Sequence, residues 1–158
     1  MKDCWEYDPG SDTWTRKSDF KGGARDHAVG FSAGNKGYIG TGYHFFYRKK
    51  DFWEYDPKAN QWTRKADFGG GRRSRAVGFS LGDKAYIGTG SKKLFSNCKD
   101  FWEYNPVADI WSRMKDFGGS PRCNAVGFSI SGKGYIGTGT GYKKDFWEYD
   151  PTCDRWTK

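Results

Sequence analysis

The sequence predicts an all-β protein assembled from repeated units of four short antiparallel strands. Three observations carry that expectation. One phrase is written four times with small changes: "KDCWEYDPGSDTWTRKSDFKGG" from Lys2, "KKDFWEYDPKANQWTRKADFGG" from Lys49, "CKDFWEYNPVADIWSRMKDFGG" from Cys98 and a shortened "KKDFWEYDPTCDRWTK" from Lys143. Two further phrases recur three times, "AVGFS" at Ala28, Ala76 and Ala125, and "YIGTG" at Tyr38, Tyr86 and Tyr135. Finally, 23 Gly, 12 Phe, 10 Tyr and 8 Trp stand against few aliphatic residues, and no stretch shows the 3.6-residue apolar period of a helix.

The repeat fixes the order of elements. The opening Asp recurs as Asp3, Asp51, Asp100 and Asp145, in steps of 48, 49 and 45 residues. Each complete unit begins with a strand a ("AVGFS"). A Gly-containing turn ("AGNKG", "LGDKA", "SGKG") joins it to strand b ("KGYIGTG"), as a hairpin needs. A variable loop leads to strand c ("DFWEYDP"), where Trp53 and Tyr55 face one way and Phe52 and Glu54 the other. Pro and Asp or Asn then turn the chain into strand d ("QWTRKADF"). The boundaries follow: a half unit of two strands at 2–20, full units at 21–68 and 69–117, and a unit at 118–158 whose last strand is shortened. Units of this size with four antiparallel strands are blades of a β-propeller, about three and a half per chain.

With its Gly-rich strand b, its Tyr after a variable loop and its "YDP" followed by Trp, the unit resembles the kelch repeat, here of the bacterial type. One departure is Gly-Thr-Gly at 40–42, 88–90 and 137–139, where kelch repeats carry a Gly-Gly pair. The resemblance implies a propeller, a secreted, cell-surface or periplasmic location, and a binding role. A kelch-type ring has more blades than this chain supplies. The expectation is therefore a homodimer or higher closed oligomer, because each blade buries its face only against a neighbour. The other reading is a segment of a larger kelch propeller attached to, or forming, a carbohydrate-active or oxidase-like enzyme whose catalytic residues are elsewhere.

Other totals narrow the function. Lys and Arg number 27 against 19 Asp and Glu, a net charge of +8, which suits an anionic partner. Acidic and basic residues are interspersed, however, which argues against a nucleic-acid footprint. No apolar run approaches the ~20 residues of a membrane span, and no export signal is visible in these residues. The periodic residues read as frame. Trp53, Trp62, Tyr55 and Phe68 pack the units, while Glu6, Glu54, Glu103 and Glu148 are expected to pair with Arg25, Arg73 and Arg122. Function belongs where the copies disagree, at the d–a entries and the b–c loops, which a propeller opens onto one face. The candidate ligand-binding residues there are His27, Tyr43, His44, Phe46, Arg48, Arg75, Lys92, Lys93, Phe95, Asn124, Tyr142 and Lys143. Cations beside aromatics suit an acidic glycan or an acidic peptide. Catalysis, a metal and a cofactor are not expected. His27 and His44 are the only histidines, too few for the two-His, two-Tyr copper site of kelch-like radical oxidases, and the four cysteines lack zinc spacing. Cys98 and Cys123 fall on one face of neighbouring units and are expected to form a disulfide.

Overall fold

Large side chains alternate along "DFWEYDP", so that strand can pack on both faces, while the flanking Pro, Gly and Asn confine it to a few residues. A computed structural model describes residues 2–158 and shows the outcome. Among them there is no helix. Strands β1 (Cys4–Asp8) and β2 (Thr13–Lys17) form a two-stranded hairpin. Three four-stranded antiparallel sheets follow. The first is β3 (Val29–Ala33), β4 (Lys36–Gly40), β7 (Phe52–Asp56) and β8 (Gln61–Lys65); its b–c loop folds into a small ribbon of β5 (Tyr43–His44) and β6 (Tyr47–Arg48). The second is β9 (Val77–Leu81), β10 (Lys84–Gly88), β13 (Phe101–Asn105) and β14 (Ile110–Met114), with a ribbon of β11 (Ser91–Lys93) and β12 (Ser96–Asn97). The third is β15 (Val126–Ile130), β16 (Lys133–Gly137), β17 (Phe146–Asp150) and β18 (Arg155–Thr157). The register recurs: Tyr38, Tyr86 and Tyr135 lie opposite Glu54, Glu103 and Glu148.

The sheets stand face to face, and the core lies between them. Phe52, fully buried, places its ring 4.9 Å from Tyr104 and 5.0 Å from Trp111 of the next sheet, both edge-on. Phe101 repeats the contact with Tyr149 at 4.8 Å and Trp156 at 5.0 Å. Edge-to-face pairs of this kind add about 0.5–1.5 kcal/mol beyond the area they bury. At the outer edge, Trp111 donates its indole N–H to the Ala66 carbonyl at 3.1 Å, and Asp109 accepts the Ala66 N–H at 2.9 Å. At the inner edge β3, β9 and β15 lie side by side. Only Gly permits that approach: a Cβ on Gly78 would stand 2.9 Å from the Phe31 ring, and one on Gly127 would overlap Val77.

Burial is uneven along the chain. Tyr7 and Trp14 of the first hairpin are 44% and 64% exposed, and Phe128 and Phe146 of the third sheet 47% and 48%, although their counterparts between sheets are largely covered. The same sequence position therefore has two energies. Phe101→Ala should lose about 3–5 kcal/mol in urea unfolding, the range for a buried aromatic. Phe146→Ala, the matched position on an open face, should lose far less; equal losses would contradict the packing described.

Candidate functional site

The frame that positions the variable residues is built around three arginines. Arg73 is fully buried, and its guanidinium grips Asp100 through both nitrogens (3.0 and 2.6 Å). It also donates to the carbonyls of Thr89 (2.8 Å) and Gly70 (2.7 Å), and lies 4.7 Å above the Phe68 ring. Trp102 donates its indole N–H to the same Asp100 carboxylate at 2.9 Å. Arg25 with Asp51 and Trp53, and Arg122 with Asp145 and Trp147, repeat the arrangement. The sequence led us to expect these arginines to pair with the periodic glutamates. Instead the Asp that opens strand c is the partner. Glu54, Glu103 and Glu148 accept the hydroxyls of Tyr38, Tyr86 and Tyr135 at 2.8, 2.6 and 2.8 Å, and Glu6 pairs with Lys17 at 2.8 Å.

Main-chain bonds then bring d–a entries and b–c loops to one side. Asp26 and Tyr43 exchange N–H···O bonds (2.9 and 2.8 Å), Ser74 and Ser91 do the same (3.1 and 2.9 Å), and Thr140 donates to Cys123 (2.9 Å). Successive entries are chained as well: Arg75 donates to the His27 carbonyl at 3.0 Å, and Asn124 to the Arg75 carbonyl at 3.1 Å. All three residues hold left-handed backbone, with φ of 50°, 59° and 56°, and all three side chains are exposed.

The candidates divide between surfaces. Arg48, Arg75, Phe95 and Asn124 line one cavity of about 180 Å³. Ser91, Leu94, Asn97, Cys123 and Thr140 complete its wall. The sequence reading had not chosen Leu94 or Asn97; they lie in the same non-repeating loop that supplied Phe95, which is the signal that could have found them. Tyr43 and His44 line a second, shallower cavity with Asp26 and Phe45, where the Phe45 ring meets His44 edge-on at 4.5 Å. Lys92 is not with Arg75. It faces a groove on the other side, beside Cys98, Asp100 and Arg113. Phe46 and Tyr142 are 84% and 96% exposed and line neither cavity, nor do Lys93 and Lys143, while His27 meets the first cavity only through its backbone link to Arg75.

Electrostatics single out the first cavity. Among the described residues neither Arg48 nor Arg75 has a carboxylate within ion-pair distance. The Arg48 guanidinium lies 5.6 Å from the centre of the Tyr43 ring, and its Nε is shielded from solvent with no acceptor. The expected Cys98–Cys123 bridge is not formed, and all four cysteines are free thiols. Cys98 pairs with Arg122 across an antiparallel bridge, so Cys123, one residue on, projects to the opposite side. Its sulfur meets Thr140 Oγ1 at 3.0 Å.

Fold and site together define an all-β repeat protein whose invariant residues build sheets and whose variable loops gather along one side. No family model matches the chain, and no curated protein matches it. Among solved structures, that of YjhT is similar, with a TM-score of 0.77 at 20% identity over 92% of this chain and 55% of that one. The chain thus spans about half the length of that neighbour, and the likeness is one of fold.

Bonds from Arg122 hold the Asp145 carboxyl well below its ordinary value of 3.8. A carboxyl depressed in the folded state stabilises fully above its unfolded value and loses that contribution as pH falls through the folded one. Asp145→Asn should therefore lower the thermal midpoint at pH 7 while flattening its decline between about pH 4 and 2. A variant with the parent's acid profile would mean that Asp145 does not carry this linkage.

Proposed function

We propose that this chain is an arc of a kelch-like β-propeller that acts by binding and self-assembly, without catalysis. The observation that carries the binding half is the cavity in which Arg48 and Arg75, neither paired to a carboxylate, stand beside Leu94 and Phe95. Guanidinium groups in a fixed fork recognise carboxylates and sulfates bidentately. A flat apolar ring beside them suits the face of a sugar. An acidic glycan is the ligand this combination favours, with an acidic peptide as the alternative the test separates.

The double variant Arg48→Ala, Arg75→Ala should abolish hits on a glycan array and leave the unfolding midpoint close to that of the parent. Repeating the array at two salt concentrations distinguishes the chemistry. Affinity that falls modestly supports a short acidic sugar held by contacts, whereas a steep fall marks a long polyanion displaced by counterions. Hits confined to acidic peptides, or unchanged in the double variant, would overturn the glycan reading.

The assembly half rests on complementarity of the end faces. The exposed Phe128 and Phe146 repeat the positions through which Phe79 and Phe101 meet the following sheet, and Tyr7 and Trp14 repeat the positions of Tyr149 and Trp156 that receive Phe101. Light-scattering chromatography at micromolar concentration should give a dimer or higher closed oligomer, shifted to monomer by Trp14→Ser. A monodisperse monomer in the parent would refute it.

A further inference from the structure

We propose that the tips of the b–c loops dock this protein on a membrane surface containing anionic lipid. The contact is peripheral, since no helix among the described residues is long and apolar enough to cross a bilayer. It lies beyond the Arg48 and Arg75 cavity and does not depend on the glycan reading of that cavity. Shape and charge specify the partner independently.

Shape comes from the two ribbons, each of which closes on a two-residue apolar turn. His44 pairs with Tyr47 across Phe45-Phe46, and Lys93 pairs with Ser96 across Leu94-Phe95. Phe45 and Phe95 hold left-handed backbone, with φ of 52° and 59°, where Gly or Asn fits at least cost. Tyr142 does the same in the third loop, with φ of 54°. Together with Phe46, Tyr47 and Leu94, these side chains are 70–96% exposed. Neither ribbon is bare for want of neighbouring chain. Tyr43 and Ser91 are bonded to Asp26 and Ser74 of their own unit, and Gly42 and Gly90 donate to the Arg73 and Arg122 carbonyls of the next. Arg48, Leu94 and Thr140, one from each loop, line a single cavity, so the three loops are adjacent. A ring that projects from its own protein gains most from a medium able to close around it. The boundary between headgroups and acyl chains is such a medium, and it favours Phe, Tyr and Leu flanked by Lys and Arg.

Charge points the same way. Residues 41–50, 89–99 and 138–144 hold eight Lys and Arg and no Asp or Glu. That leaves 19 cationic against 19 acidic residues elsewhere, so the entire net charge of +8 resides in these loops. Among the described residues, only Lys50 and Lys99 of the eight are paired with a carboxylate, those of Asp67 and Asp116. Antiparallel strands put the c–d turns at the other end of each sheet, and these turns carry the opposite sign. "DPGSD", "DPKAN", "NPVAD" and "DPTCD" hold six Asp and one Lys. A protein charged in this way turns its loops toward an anionic surface before the tips make contact.

Flotation of the 158-residue protein with phosphatidylcholine vesicles, with and without phosphatidylglycerol, tests the proposal. The protein should float with the anionic vesicles and stay behind with the neutral ones. Lys93→Gln with Lys144→Gln should weaken binding roughly twentyfold, at about fivefold per lysine near the surface. Phe46→Ser with Tyr47→Ser should weaken it by about tenfold or more and keep the unfolding midpoint, because both rings are exposed. All eight Trp lie in strands c and d, so Phe95→Trp places a single reporter at a tip. Brominated lipid should quench that added fluorescence while sparing the parent's. No flotation overturns the proposal. So does flotation that ignores Phe46→Ser with Tyr47→Ser and leaves the Phe95→Trp signal unquenched, which would mark a loose polyanion contact. Phe46 and Tyr47 line neither cavity, so their double variant should keep every glycan-array hit, and either reading can fail while the other stands.

Discussion

A buried guanidinium gripped by a carboxylate organises each unit, and the other packing follows from its position. Arg73 touches the d–a loop through Gly70, the end of strand b through Thr89 and the start of strand c through Asp100, so one side chain fastens the loop to two strand ends that are themselves joined by the Thr89 N–H to the Asp100 carbonyl. A charge without water needs this many partners: removing one member of such a buried pair costs about 3–5 kcal/mol because the other is left uncompensated. With no helix among the described residues to brace the sheets, the fastening recurs in every full unit. The Phe beneath each Arg and the Trp beside each Asp carry that polar centre directly into the aromatic layers between sheets.

Much of the architecture was legible because repetition displays period-two alternation several times over. Phe52 and Glu54 on one face, with Trp53 and Tyr55 on the other, is what the strand adopts, and each face meets a different neighbour. Choice of partner was not legible. Asp51 and Glu54 recur with the same period as Arg25, so spacing alone cannot say which carboxylate the arginine takes; only the strand register does, by setting Glu54 opposite Tyr38. Side-chain direction in the loops was hidden for a related reason. Along β11 Ser91 turns toward the rim cavity and Lys92 toward the opposite groove, which separates Lys92 from Arg75 despite their shared loop level. The same alternation parts Cys98 from Cys123.

At 20% identity the likeness to YjhT is one of fold alone. Such a fold says little about what the loops hold, since a site is grafted on a scaffold rather than dictated by it.

The chain of main-chain bonds from His27 to Arg75 to Asn124 has a bearing on how such a rim can change over generations. The three positions are held by peptide groups, and their side chains contribute nothing to the link. Natural variation can therefore exchange histidine for arginine or asparagine without moving the backbone, as the chain itself already does across its own copies. The left-handed φ sets the limit: Gly and Asn fit at least cost, long unbranched residues at some strain, and Val or Ile poorly. These positions thus behave as a row of interchangeable letters in fixed type, where a duplicated unit can change the chemistry of its loop by single substitutions while its sheet stays unchanged.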